Sequence, residues 1–181
     1  MIKAIQSVFK YLGGSTPVEK FNRYLIEVDD QLLNQFATEA NYSASHIIQH
    51  YLRPENGHER RIRSRQTGDT LMYSYSEAKY LSTNERIKTD SVLTQRQYND
   101  YLSQVDKNLN VIDKMRYSFI DNDQFYKVEV FDFDKTKGIL AVDVPLDGSE
   151  IKIPDYIKVI KDVTNDVNFK NYYLASSQRF L

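Results

Sequence analysis

The chain has 181 residues, of which 41% are hydrophobic and 27% are charged. This composition is typical of a folded domain large enough to bury a core, and it excludes a disordered chain. No run of apolar residues approaches the ~18 to 20 that a membrane-spanning helix needs. The absence of cysteine excludes disulfides, thiolate zinc sites and cysteine nucleophiles.

The charges are nearly balanced, with 24 Lys and Arg against 25 Asp and Glu. General nucleic-acid binding is not expected, because such proteins usually carry a clear basic excess. With no signal peptide visible, we expect a cytosolic location. The three histidines show no zinc-type spacing, which favours structural or surface roles for His46, His50 and His58.

The first residues predict a short amphipathic helix that ends at Gly13-Gly14. Its apolar residues recur at helical spacing, at Ile2, Ile5, Val8, Phe9 and Leu12. We assign residues 1–16 to this appendage and residues 17–181 to one domain. The helix is expected to dock on that domain, or alternatively on a protein partner or a second copy of the chain.

Three further segments have helical patterns. After an extended stretch from Val18 to Val28, Asp29-Asp30 resembles a helix cap, and the helix should run to about Tyr42. Its predicted buried residues are Leu32, Leu33, Phe36 and Ala40. The second helix is predicted over Thr94–Val105, with inward residues Tyr98, Tyr101, Leu102 and Val105. The third covers the tail, Phe169–Ala175.

The remaining pattern is one of short runs rich in Tyr, Phe, Val and Ile, separated by turn residues. These runs are Ile47–Leu52, Arg60–Arg65, Leu71–Lys79, Glu85–Leu93, Lys114–Ile120, Gln124–Phe133, Ile139–Leu146 and Tyr156–Val163. About eight strands in meander order with a few helices predict an α+β fold. We expect a mostly antiparallel eight-stranded sheet that curls into a closed or nearly closed tunnel-like barrel.

Charged residues recur two apart along these strands and therefore share faces. The sets are Arg61, Arg63 and Arg65; Tyr75, Glu77 and Lys79; Arg86, Lys88 and Asp90; Lys114 and Arg116; Glu129 and Phe131; and Asp143 alone. Faces turned to solvent are the ordinary explanation for one such strand. Several strands, however, are mixed on both faces, which favours a wet barrel lumen. Facing cations repel one another, and a polyanion with a divalent metal would satisfy them.

The order of these motifs resembles the CYTH-like, or triphosphate tunnel metalloenzyme, superfamily over roughly residues 18–175. The family includes thiamine and inorganic triphosphatases, class IV adenylate cyclases and RNA triphosphatases. The motifs that match it are Gln49-His50-Tyr51-Leu52, Arg61-Ile62-Arg63, Tyr75–Lys79, Lys114-Met115-Arg116-Tyr117, Glu129-Val130-Phe131 and the closing stretch Asp162-Val163-Thr164 with Asn171 and Leu174-Ala175.

The acidic motifs of the family are depleted here. Its opening Glu-x-Glu-x-Lys corresponds to Glu19, Phe21 and Arg23, and its Arg-x-Glu-x-Glu to Arg86, Lys88 and Asp90. Its late Glu-x-Glu corresponds to Asp143 followed by Pro145. Three family acids are thus replaced by Phe21, Lys88 and Pro145, so a second metal site is doubtful.

The resemblance implies roles for particular residues. The triphosphate-binding set would be Arg23, Arg61, Arg63, Lys79, Arg86, Lys88, Lys114 and Arg116. Mg²⁺ or Mn²⁺ would be held by Glu19, Asp90, Glu129 and Asp143, with Glu129 and Asp143 acting in catalysis. The chemistry would be metal-assisted attack of water on the terminal phosphorus of an inorganic, nucleoside or thiamine triphosphate.

Two other interpretations remain open at this point. The first is a non-catalytic nucleotide- or polyphosphate-binding protein that has lost its metal site. The second is an unrelated strand-rich interaction module. Cyclase activity has less support than either, because no motif indicates adenine recognition.

Overall fold

The computed structural model describes residues 18–181, so the helix predicted near the start of the chain lies outside the described residues. The strands are β1 Glu19–Glu27, β2 Ser43–Tyr51, β3 Glu59–Thr67, β4 Thr70–Tyr80, β5 Glu85–Leu93, β6 Ile112–Asp121, β7 Gln124–Phe131, β8 Asp134–Asp143 and β9 Val159–Asp162. The helices are α1 Asp30–Thr38, α2 Gln95–Tyr101 and α3 Asn171–Ser177.

Eight of the strands close into an antiparallel barrel. The sheet order is β5-β4-β3-β2-β6-β7-β8-β1-β9, and β1 also pairs with β5. That closing contact joins Glu19 to Arg86 and Lys20 to Glu85, while β9 continues along the same edge of β1 beside Tyr24 to Ile26. The predicted fold class is therefore confirmed.

The outer face of one half of the barrel is covered by α1. Asp29 caps this helix by accepting a hydrogen bond from the Leu32 backbone N–H at 2.9 Å. Leu32 and Phe36 then pack against outward residues of the sheet, including Val128, Leu140 and Val142. This packing turns the opposite face of β7 and β8 inward, toward the lumen.

Apolar residues fill one end of the barrel interior. Leu25, Phe131 and Ile139 lie on inward positions of their strands and pack with Leu174 and Ala175 of α3. The lumen is thus blocked at this end by a hydrophobic core. Charged side chains begin one inward position further along the strands, so they surround a cavity that has a deep end and a mouth.

Several predicted element boundaries differ from the structure, and three of them change which side chains are exposed. The first helix ends at Thr38 and leaves Ala40 exposed, because the chain turns back to place Tyr42 against Phe36, with ring centroids 4.9 Å apart. The second becomes a 3₁₀ turn at Leu102–Gln104, which rotates Leu102 outward. The strand predicted to reach Leu146 ends at Asp143, and Leu146 is 97% exposed.

Across residues 18–181, each helix is too short or too polar to span a lipid bilayer.

Candidate functional site

A strongly cationic cavity occupies the barrel lumen. Eight of its seventeen lining residues are Arg or Lys, namely Arg23, Arg61, Arg63, Arg86, Lys88, Lys114, Arg116 and Lys127. Glu129 and Asp143 are the lining acids. The cavity measures about 120 Å³, which is the liquid volume of roughly four water molecules at about 30 Å³ each. A ligand of that size is a small molecule or a short chain of groups.

Strand register explains why these side chains converge. Arg61 and Arg63 lie two apart on β3, and Lys114 and Arg116 two apart on β6, so each pair faces the lumen. Seven of the eight residues in the predicted binding set line the cavity: Arg23, Arg61, Arg63, Arg86, Lys88, Lys114 and Arg116.

The eighth residue, Lys79, lies on the outside of the barrel. On β4 the inward positions are Ser76, Ala78 and Tyr80, of which Ser76 and Ala78 are buried. Lys79 alternates with them and is exposed. The prediction that Lys79 points into the cavity is therefore wrong.

Glu129 is the centre of the deepest charged group. One of its carboxylate oxygens accepts from Arg116 Nε at 3.0 Å. The other lies 2.8 Å from Lys114 Nζ and accepts from Asn171 Nδ2 at 3.2 Å. Burial favours the neutral acid, but Lys114 and Arg116 hold the pKa of Glu129 well below its usual range. Glu129 is thus an ionised carboxylate with both oxygens engaged.

A second charged group lies nearer the mouth. Lys88 Nζ is 2.8 Å from Asp90 and 3.5 Å from Glu19. Glu19 also accepts from Arg86 Nε at 2.9 Å, and Asp90 from Arg63 at 3.2 Å. Burial raises the pKa of Glu19 and of Asp90, but the neighbouring cations outweigh it, so both values fall below the ordinary range.

Several buried donors on the cavity wall have no protein partner. These are Nε of Arg23, Arg61 and Arg63 and Nε2 of Gln49. A buried N–H without an acceptor costs roughly 1–3 kcal/mol. Such donors around one cavity indicate a ligand that carries several acceptor oxygens.

Burial and neighbouring cations also lower the pKa values of Arg63 and Lys88. Burial first, then Arg61 and Arg116, lower the pKa of Arg63 to about 9. Burial, then Arg86, lower the pKa of Lys88 to about 8, against the opposing effect of Glu19 and Asp90. An anionic ligand would relieve this repulsion and raise both values.

The acids do not form the predicted metal site. Among residues 18–181 there is no group of three or more Asp, Glu or His side chains able to hold a metal ion. Each of the four predicted ligands instead pairs with a cation: Glu19 with Arg86 and Lys88, Asp90 with Lys88 and Arg63, Glu129 with Lys114 and Arg116, and Asp143 with Lys127. Mg²⁺ or Mn²⁺ needs one or two available carboxylates beside water and phosphate oxygens, and ion pairs engage each of these four carboxylates instead.

The barrel resembles solved structures. An inorganic triphosphatase, NE1496, matches with a TM-score of 0.55 and 21% identity, over 91% of this chain and 98% of that one. The PH1819 protein of Pyrococcus horikoshii OT3 matches with a TM-score of 0.50 and 11% identity, over 75% and 80% of the two chains. A conserved hypothetical protein of Pyrococcus furiosus matches with a TM-score of 0.50 and 16% identity, over 70% and 78%.

The chain shares its barrel fold with the inorganic triphosphatase NE1496, and the cationic cavity in its own lumen is hereafter called the tunnel. The predicted resemblance is thus confirmed in the architecture. No protein-family model and no curated protein matches the sequence.

Three polar residues in or beside the tunnel escaped the sequence analysis. Lys127 lies two residues before Glu129 on β7, and Glu59 two before Arg61 on β3, so period-two counting alone would have found both. Lys127 Nζ lies 3.3 Å from Asp143, and Glu59 lies 3.1 Å from Arg61. Tyr80 was missed because β4 was assigned the opposite inward face.

The free tunnel protein should gain stability as the pH rises from about 7.5 to 9.5. Lys88 has a pKa of about 8 when folded and an ordinary value of 10.5, so the unfolded chain binds more protons in this range. We expect a gain of about 1 kcal/mol, or about 2–4 °C in melting temperature. Calorimetry at several pH values measures it. Burial also lowers the pKa of Lys114 to about 7, against the opposing effect of Glu129, so this lysine adds to the rise. Lys88→Met should therefore reduce the rise without abolishing it, and a wild-type melting temperature that falls steadily would contradict the assignment.

Proposed function

We propose that the tunnel binds the linear polyphosphate group of a small molecule and needs no resident metal ion to do so. Inorganic triphosphate, a nucleoside triphosphate and thiamine triphosphate all carry this group. One observation carries the proposal: eight cations line the cavity, while five carboxylates pair with them, which leaves a formal excess of three positive charges. A polyanion would neutralise that excess.

The kind of cation supports phosphate in particular. Five of the eight lining cations are arginines, whose planar guanidinium groups match the spacing of phosphate oxygens. Arg23 donates to the backbone carbonyl oxygens of Thr164 at 3.2 Å and Thr83 at 3.4 Å, while its Nε has no acceptor. Arg61 and Arg63 likewise each keep one unpaired Nε–H.

The cations also lie at different depths, which favours a chain of phosphates over a single compact anion. The Lys114 side chain is fully buried, that of Arg63 is 15% exposed, and that of Lys127 near the mouth is 26% exposed. A linear polyphosphate carries several phosphate groups that can be distributed among cations at different depths, whereas sulfate carries one group of oxygens.

Metal-dependent hydrolysis is the second candidate, and the similarity to an inorganic triphosphatase favours it. In that mechanism Glu129 or Asp143 would hold a metal ion and position water. Binding without catalysis agrees better with the tunnel, because both oxygens of Glu129 already accept from cations or from Asn171. A carboxylate engaged in this way is a poor metal ligand and a weak base.

Calorimetric titration with tripolyphosphate in excess EDTA tests the proposal. We expect one-site binding, with sulfate at the same ionic strength binding at least tenfold more weakly. Phosphate release from tripolyphosphate, ATP and thiamine triphosphate with Mg²⁺ or Mn²⁺ is measured in parallel, and it should stay at background. Turnover that Glu129→Ala abolishes would establish the hydrolase instead. Absence of binding in every buffer would refute both candidates.

A further inference from the structure

Lys88 lies where two of the predicted metal ligands would have to share an ion. Its Nζ is 2.8 Å from Asp90 Oδ2 and 3.5 Å from Glu19 Oε1. Both carboxylates come from strands that meet at the seam of the barrel, where β1 pairs with β5. A single ammonium therefore bridges two acids that the chain order places far apart.

We propose that Lys88 is a built-in cation that replaces a divalent metal ion between Glu19 and Asp90. The inference rests on the proposed polyphosphate binding, and it explains through Lys88 why that binding needs no metal.

All four oxygens of the Glu19 and Asp90 carboxylates already contact protein groups. Glu19 Oε1 forms an ion pair with Lys88, and Glu19 Oε2 accepts a hydrogen bond from Arg86 Nε at 2.9 Å. Asp90 Oδ2 forms an ion pair with Lys88, and Asp90 Oδ1 accepts hydrogen bonds from Arg63 and from the Ser76 hydroxyl. A divalent ion at this place would have to displace three cationic side chains.

The Lys88 ammonium can also contact the ligand. A lysine ammonium has three N–H donors, and two carboxylate contacts leave one donor for another acceptor. Lys88 also lines the tunnel, and its side chain is 16% exposed. The third donor can therefore contact a phosphate oxygen, so that Lys88 links the acids to the ligand as a bridging metal ion would.

Divalent ions in solution compete with the cations of the tunnel for polyphosphate oxygens. Mg²⁺ and Mn²⁺ bind polyphosphate oxygens in solution, so a tunnel that supplies its own cations competes with them for the ligand. The affinity for tripolyphosphate should then fall, or stay the same, when either ion is added. A tunnel that uses a resident metal would respond in the opposite way.

The test compares the wild type with Lys88→Glu and Lys88→Met. Lys88→Glu places a third carboxylate between Glu19 and Asp90, whereas Lys88→Met removes the charge alone. Binding of Mn²⁺ to each protein, without polyphosphate, is followed by the loss of the electron paramagnetic resonance signal of the free ion. We expect no stoichiometric binding by the wild type, and binding by Lys88→Glu at least tenfold tighter than any residual binding by the wild type or Lys88→Met.

Stoichiometric Mn²⁺ binding by the wild type, lost in Asp90→Asn, would overturn the inference, as would tripolyphosphate binding that Mn²⁺ strengthens tenfold or more. Neither result bears on whether tripolyphosphate binds to the tunnel, which the titration in EDTA measures separately. If Lys88→Glu does not fold, the wild type and Asp90→Asn still decide the question. Absence of tripolyphosphate binding would refute the proposed function, and with it the link from Lys88 to the ligand.

Discussion

Replacing Arg61 and Arg63 together with alanine should lower the affinity for tripolyphosphate by roughly 10²–10⁴-fold. Both guanidinium groups line the tunnel and each keeps an unpaired Nε–H. A hydrogen bond to a charged group contributes about 1.5–3 kcal/mol, and about 1.4 kcal/mol corresponds to a factor of ten. Two such losses account for the expected range.

The melting temperature gives the simplest readout, because a ligand that binds the folded state alone stabilises it by mass action. Millimolar tripolyphosphate should raise the melting temperature of the wild type and leave that of the double variant unchanged. Lys79→Ala combined with Lys107→Ala is the matched control, since it also removes two positive charges, both from exposed residues. The ligand should shift the control as it shifts the wild type. Equal loss in both double variants would mean that net charge, and not the tunnel, attracts the ligand.

Glu129→Gln should lower the free energy of unfolding by about 3–5 kcal/mol, the usual cost of leaving a buried charge without its partner. The Lys114 side chain is fully buried beside this carboxylate, and Arg116 contacts the same group. The change keeps the size of the side chain and removes its charge. Chemical denaturation measures the effect, which corresponds to a loss of roughly 6–20 °C in melting temperature.

Asp143→Asn is the matched control for this experiment. Asp143 also lines the tunnel and pairs with a lysine, but its side chain is 60% exposed. Exposed ion pairs contribute less than about 1 kcal/mol, so the control should unfold almost as the wild type does. Tripolyphosphate should stabilise Glu129→Gln more than the wild type, because the variant leaves Arg116 without its carboxylate partner. Equal stability of the two variants would contradict the assigned role of Glu129.

Local pattern in the sequence was enough to predict the strands and most of the cationic lining. Side chains two apart on a strand share a face whatever the rest of the fold does. Arg61 with Arg63, and Lys114 with Arg116, could therefore be paired by counting along the chain. The helix cap at Asp29 is equally local. Its side chain accepts a hydrogen bond from the backbone N–H three residues later, and this bond needs no tertiary contact.

Which face of β4 points inward was not a local matter. Both faces of this strand are mixed, with Tyr75, Glu77 and Lys79 on one and Ser76 on the other. Charge suggested that Lys79 faced the lumen. The small Ser76 faces it instead, where its hydroxyl contacts Arg63 at 2.7 Å. Long side chains from neighbouring strands fill the lumen beside β4. The space that remains for a β4 side chain cannot be read from the sequence.

The spacing of charged residues along the strands was enough to predict that several acids and many cations share one barrel interior. Their pairing could not be predicted, because it depends on contacts between strands. Register across the β1–β5 seam places Glu19 beside Arg86 and within reach of Lys88, and register between β6 and β7 places Arg116 opposite Glu129. Ion pairing depends on distances of a few ångströms between strands that are remote in the chain. For that reason the residue types predicted a metal site, whereas the distances between the side chains support a tunnel in which Lys and Arg form ion pairs with the acids.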